Sequence, residues 1–110
     1  MGGKMITRTW HGIVPIKFKD EFEIYLGKTG VNDATAINGN MGAFVKVIEQ
    51  REYAHFFLCT IWDTMESIVS YAGENPTIAV TYAEDDKYGL ISDPIVIHQQ
   101  VITTSNPFED

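Results

Sequence analysis

The sequence predicts a single α+β domain whose elements run β-α-β-β-α-β. Three observations carry this. Apolar and β-branched runs with period-two alternation sit at both ends of the chain and twice in its middle. Two stretches with helical spacing separate the first strand from the second and the third from the last. The middle two strands are joined by only a few residues, short enough for a hairpin.

The first strand is Met5 to Val14, rich in Ile, Thr, Val and Trp. Ile6, Arg8, Trp10, Gly12 and Val14 share one face, and Met5, Thr7, Thr9, His11 and Ile13 share the other. Neither face is purely polar, so both need cover. Pro15 breaks the strand, and Phe18, Phe22, Tyr25 and Leu26 then mark an amphipathic helix interleaved with Lys17, Lys19, Asp20, Glu21 and Glu23. Gly27 and Gly30 weaken its end, and Val31 to Ile37 adds a short helical turn before the loop Asn38-Gly39-Asn40.

Met41 to Gln50 is the second strand and Glu52 to Trp62 the third. The third is nearly continuously apolar, as suits a central strand covered on both faces. Asp63-Thr64-Met65-Glu66 reads as a capping box with Asp as the cap, followed by Met65, Ile68, Val69 and Ala72 at helical spacing until Gly73. Asn75-Pro76 predicts a second helix start, with Ile78, Ala79 and Tyr82 on its apolar side. Glu84-Asp85-Asp86 reads as a solvated acidic loop or helix start. The last strand is Ile95 to Ile102.

This order is the split βαβ, ferredoxin-like arrangement, with a four-stranded antiparallel sheet and helices on one of its faces. The other face carries apolar residues too, and a second copy of the same sheet is its simplest cover, through a two-fold interface. The domain spans residues 5–103, with an N-terminal extension over 1–4 and a loose tail over 104–110.

With 110 residues, 45% hydrophobic and 21% charged, the chain matches one ordinary globular core. A net charge of -7 with no basic stripe argues against nucleic acid and against an anionic membrane surface. No apolar stretch approaches the ~18 residues of a membrane span, and no signal peptide is evident, so a cytoplasmic location is expected. The one cysteine, Cys59, lies in an apolar run and reads as a core residue. There is no Gly-rich phosphate loop, serine elbow, HExxH or CxxC, and no pair of histidines at metal-ligand spacing, so neither a metal nor a cofactor is expected.

Several segments resemble the antibiotic biosynthesis monooxygenase family of dimeric α+β barrels. They are Trp10-His11-Gly12, Thr60-Ile61-Trp62-Asp63-Thr64-Met65-Glu66-Ser67-Ile68, Tyr71-Ala72-Gly73-Glu74, Tyr82-Ala83-Glu84-Asp85 and His98. The resemblance implies a homodimer and a cleft between sheet and helices, where active members bind a flat aromatic substrate and use oxygen without metal or flavin. The family's haem-degrading branch has an axial histidine that would fall near Thr81 here, and no His or Cys lies between Trp62 and Ile97. Haem cleavage by that route is therefore not expected.

The expected function is a cofactor-independent monooxygenase acting on a small hydroxylated aromatic. The alternative is a non-catalytic ligand-binding or stress-related dimer that keeps the barrel without the chemistry. In the first, Arg8, Trp10, Trp62, Tyr71 and Tyr82 bind the substrate, and His11 or His98 accepts its proton. Each residue also has a bland reading: Trp62 as a sheet-helix anchor, the tyrosines as packing, the histidines as hydrogen-bonded interface residues. If the first and last strands are neighbours, His11 and His98 are expected to approach each other. A cleft with ordered polar groups around the histidines would favour catalysis, and one filled by Phe and Trp would favour the alternative.

Overall fold

The structure is a computed structural model that describes residues 5–102. The expected extension over 1–4 and tail over 104–110 lie outside those residues. The strands are β1 (Met5–Pro15), β2 (Asn40–Gln50), β3 (Tyr53–Trp62), β4 (Ile91–Ser92) and β5 (Ile97–Val101). The helices are α1 (Lys19–Leu26), α2 (Asn32–Thr35) and α3 (Met65–Ala72). A wider helical turn over Gly27–Val31 joins α1 to α2, so the two glycines loosen the helix without ending it.

The sheet is antiparallel, in the order β2-β3-β1-β4, with β5 pairing β1 along the same edge as β4. The last strand expected from Ile95 to Ile102 is β5, with Ile95 making an isolated bridge to Ile78, and the short β4 precedes it as a fifth strand that the sequence reading did not expect. β1 is central, pairing Trp10 with Leu58 on β3 and Arg8 with His98 on β5. The β2–β3 connection is the two-residue turn Arg51-Glu52, with Arg51 at φ 60 in place of the usual Asn or Gly.

Register divides the side chains cleanly. Arg8, Trp10 and Val14 of β1 and Ala54, Phe56, Leu58, Thr60 and Trp62 of β3 face the helices and are buried. Phe22 and Leu26 of α1 close over Trp10, Phe56 and Leu58 in the main core. A second, smaller core holds Ala34, Trp62 and Ile68. His11, Ile13, Tyr53, His55, Phe57, Ile61, Ile91 and Ile97 occupy the opposite face, which no helix among the described residues covers. There Ile91 and Ile97 are 59% and 60% exposed. The apolar second face read from the sequence is present.

Two local expectations are corrected. The cap of α3 is Thr64, one residue later than Asp63: its Oγ1 accepts from the Ser67 N–H at 3.1 Å. Asp63 instead accepts from the Ser67 hydroxyl at 2.7 Å, so both oxygens secure the same turn. No helix starts at Asn75-Pro76. The Ala79 N–H bonds the Pro94 carbonyl and the Val96 N–H bonds the Thr77 carbonyl, both at 2.9 Å. With β-branched Thr77, Ile78, Val80 and Thr81, this stretch is better satisfied as an extended segment against residues 94–96. The acidic run becomes one helical turn over Asp85–Tyr88.

Candidate functional site

Alternation along β1 delivers Arg8 and Trp10 to the same helix-facing row, and α1 closes above them. Trp10 is oriented at both ends: its indole N–H donates to Ser92 Oγ at 2.7 Å, and its ring lies 6.4 Å from that of Phe22. Gly12 makes this orientation possible, because the indole lies over its Cα where a side chain would otherwise stand. Arg8 is 3% exposed. Its Nη2 donates to the carbonyls of Pro76 and Ile78 at 3.3 and 3.2 Å, and its guanidinium carbon lies 5.5 Å from the centre of the Tyr71 ring.

Tyr71, near the end of α3, meets Tyr82 hydroxyl to hydroxyl at 3.1 Å. Burial raises both phenol pKa values. For Tyr82 the bond to Tyr71 adds to the rise, and for Tyr71 the nearby Arg8 works against it. Both hydroxyls are therefore neutral donors at physiological pH. Arg8, Trp10, Tyr71 and Tyr82 line one cavity of about 30 Å³, closed further by Phe22, Tyr25 and Leu58. That is room for a water or two. Four of the seven site residues expected from sequence meet here.

The other three lie elsewhere. Trp62 is 0% exposed, donates its indole N–H to Thr60 Oγ1 at 2.7 Å, and stacks beneath Tyr71 with ring centres 6.0 Å apart. It supports the Tyr71 wall from below. His98 pairs across strands with Arg8 and faces a neighbouring hollow with Ile6 and Met65. Its Nε2 is buried without a hydrogen-bond partner, and burial, then the charge of Arg8, lower its pKa, so it is a neutral imidazole. His11 points to the opposite face of the sheet and does not approach His98.

His11 meets His55 instead. Its Nε2 is 3.0 Å from His55 Nδ1, its Nδ1 is 2.8 Å from Asp93 Oδ2, and its ring stacks on Phe57 at 4.6 Å. An Nδ1–H donated to Asp93 leaves Nε2 to accept the His55 Nδ1–H. Among the described residues, no group of three or more His, Cys, Asp or Glu could hold a metal ion. Cys59 lies on this face as well, and burial raises its thiol pKa, which suits an inert core residue.

Sequence reasoning missed Asp85. It sits on the cavity wall, accepts the Tyr82 N–H at 2.9 Å, and has its carboxyl pKa raised by burial. Its position inside an acidic run disguised it, since such runs are usually solvated. Tyr25 was read only as a helix-face residue, yet its hydroxyl accepts the Glu84 N–H at 3.1 Å and ties the wall to α1.

No family model matches the sequence, and no curated protein matches it. Solved structures do. A candidate antibiotic biosynthesis monooxygenase from Bacillus cereus superposes with a TM-score of 0.58 at 12% identity, over 98% of this chain and 100% of that one. A dimeric ferredoxin-like protein from an uncultured marine organism gives 0.54 at 9% identity, over 94% and 100%. This chain has the fold of the antibiotic biosynthesis monooxygenase-like structures. At such identities the likeness is one of fold, and the chemistry follows from this chain's own residues. No helix among the described residues is long and apolar enough to cross a membrane.

Proposed function

We propose that the cleft between sheet and helices binds a small hydroxylated aromatic and that the protein oxidises it with dioxygen, as a cofactor-independent monooxygenase. The observation that carries this reading is the convergence of Arg8, Trp10, Tyr71 and Tyr82 on one cavity. Flat walls suit a ring, and a buried cation beside neutral phenols suits an oxygen that becomes negative. Loss of a proton from the substrate gives an electron-rich enolate. Dioxygen takes its electrons, one oxygen atom ends as a quinone carbonyl and the other leaves as water. Asp85 on the wall and His98 beside Arg8 are the groups available to accept the proton. Burial raises the Asp85 pKa and so makes its carboxylate a stronger base, while the lowered His98 pKa keeps its imidazole unprotonated and free to accept.

The protein acts as a homodimer in this reading, with the open face of the sheet covered by a second copy. The dimeric relative of like fold supports it. A second reading, a non-catalytic ligand-binding dimer, is favoured by one observation: Trp10, Phe22 and Tyr25 leave only about 30 Å³ free.

Dioxygen uptake by the purified protein with anthrones, hydroquinones and catechols separates the two. Uptake above buffer that Asp85→Asn or His98→Gln abolishes supports the monooxygenase and identifies its base. Absence of uptake across the panel, with ligands still raising the melting temperature, leaves the binding protein.

A further inference from the structure

Arg8 is a buried cation without an anion. The ion pairs among the described residues join His11 to Asp93, Lys19 to Glu49 and Lys87 to Glu84, and none includes Arg8. Two carbonyls satisfy Nη2, while Nε is buried with no partner. The titratable groups facing the guanidinium are Tyr71, Tyr82 and His98, all neutral as argued above. Asp33 and Asp85 engage Tyr82, Asp85 by accepting its N–H, and neither forms an ion pair with Arg8. A buried charge left in this state is costly to the folded chain, and an anionic oxygen at Nε would relieve it.

We infer that the cleft is a receptor for a small aromatic anion, a flat ring bearing a phenolate or carboxylate whose charged oxygen meets Arg8 Nε while the ring lies along Trp10. This rests on the cleft being the ligand site, and it adds the ligand's charge. A neutral ring of the same shape would leave Nε unpaired, so the site discriminates by ionisation as well as by outline.

The same residues account for entry. Benzene fits a cavity of about 150 Å³, so the 30 Å³ present requires one wall to move. The segment from Val80 to Tyr88 forms that wall. No backbone hydrogen bond of the described residues joins it to a strand or helix. Side chains hold it: Tyr82 to Tyr71 and Asp33, Tyr25 to Glu84 and Asp85, and the Tyr88 ring against Phe18, Phe22 and Tyr25. Gly89, at φ 63, ends it in a backbone conformation that glycine adopts without strain. The wall can swing out without breaking a strand pairing, and its departure frees the Tyr71 hydroxyl to donate to the incoming anion.

The probe is 4-nitrophenol, whose acid and anion absorb at different wavelengths. The full chain is titrated with it across pH, and benzoate and benzamide compete. The expected result is that bound dye ionises at least one pH unit below free dye, a tenfold preference for the anion, with benzamide displacing it at least tenfold less well than benzoate. Displacement by benzoate extends the ligand class to carboxylates; a dye that benzoate leaves in place confines it to phenolates. Bound dye that ionises where free dye does, no dye binding, or dye displaced by benzamide at least as readily as by benzoate would overturn the inference. Arg8→Met should abolish the preference, and Arg8→Lys should keep part of it. The wild-type titration decides by itself if Arg8→Met does not fold. Anion-selective binding without dioxygen uptake sinks the monooxygenase alone, whereas uptake without anion selectivity sinks this inference alone.

Discussion

Replacing Gly12 by alanine tests the arrangement of the cavity at its floor. An added Cβ would sit 2.6 Å from Trp10 Cη2, closer still to its Cζ2, and 3.0 Å from Leu90 Cδ1. Carbon pairs rest at about 3.5–4.0 Å, so the indole must move by roughly 1 Å. It is not free to do so, because Ser92 holds its N–H and Phe22 flanks the ring. Overpacking of this kind costs about 1–3 kcal/mol, and straining the indole hydrogen bond adds about 1 kcal/mol. Removing a glycine from a strand returns about 0.5–1 kcal/mol. The expected net loss is about 2 kcal/mol, near 10 °C in melting temperature for a domain of this size. Urea unfolding at fixed protein concentration measures it, and tryptophan emission reports the cause. Trp62 is fully buried away from Gly12, so a red shift in native emission would belong to Trp10. A Gly12→Ala protein with wild-type stability and unchanged emission would show that the indole does not lie over Gly12.

Two further outcomes are expected. His98 has a lowered folded-state pKa, so acidification favours the unfolded chain: stability is lost as pH falls below about 6.5, toward the lower folded value. His98→Gln should flatten that part of the melting-temperature profile between pH 7.5 and 5.5, and parallel profiles for the two proteins would remove His98 as the cause. Phe57→Lys places a charge in the middle of the open face beside His11, and should shift the proposed dimer to monomer by light scattering after size exclusion. A dimer of unchanged affinity would mean that copies associate through another surface.

Features set by neighbours in sequence were legible without the structure. The alternation of Arg8, Trp10 and Val14, the apolar run of β3 and the cap–helix–Gly73 pattern of α3 depend on a few adjacent residues, and errors there were of one position, as with Thr64 for Asp63. Asn75-Pro76 carried the local signature of a helix start, yet its stretch pairs with residues 94–96, a partner that lies ~20 positions away and outweighs propensity. The site divides in the same way. Arg8 and Trp10 share a face by periodicity alone, and their meeting with Tyr71 and Tyr82 followed from the resemblance. That His11 faces His55 instead of His98 depends on strand register and on which side each imidazole emerges, which no local pattern encodes. Asp85 reached the cavity only because Val80 to Tyr88 arches over it.

The central place of β1 has a consequence for how the chain is made. Its residues pair on one side with β3 and on the other with β5, so Thr9 waits for Ile97. A ribosome adds about 5–20 residues per second, and roughly 90 residues separate the two strands, so one edge of β1 stays open for about 5–20 s during synthesis. Until then the β1–β3 ladder can form, but Arg8 and Trp10 lack the roof that residues 76–92 provide. The binding cleft is therefore among the last features to be completed, and a nascent chain stalled before residue 97 would present an apolar strand edge to its neighbours.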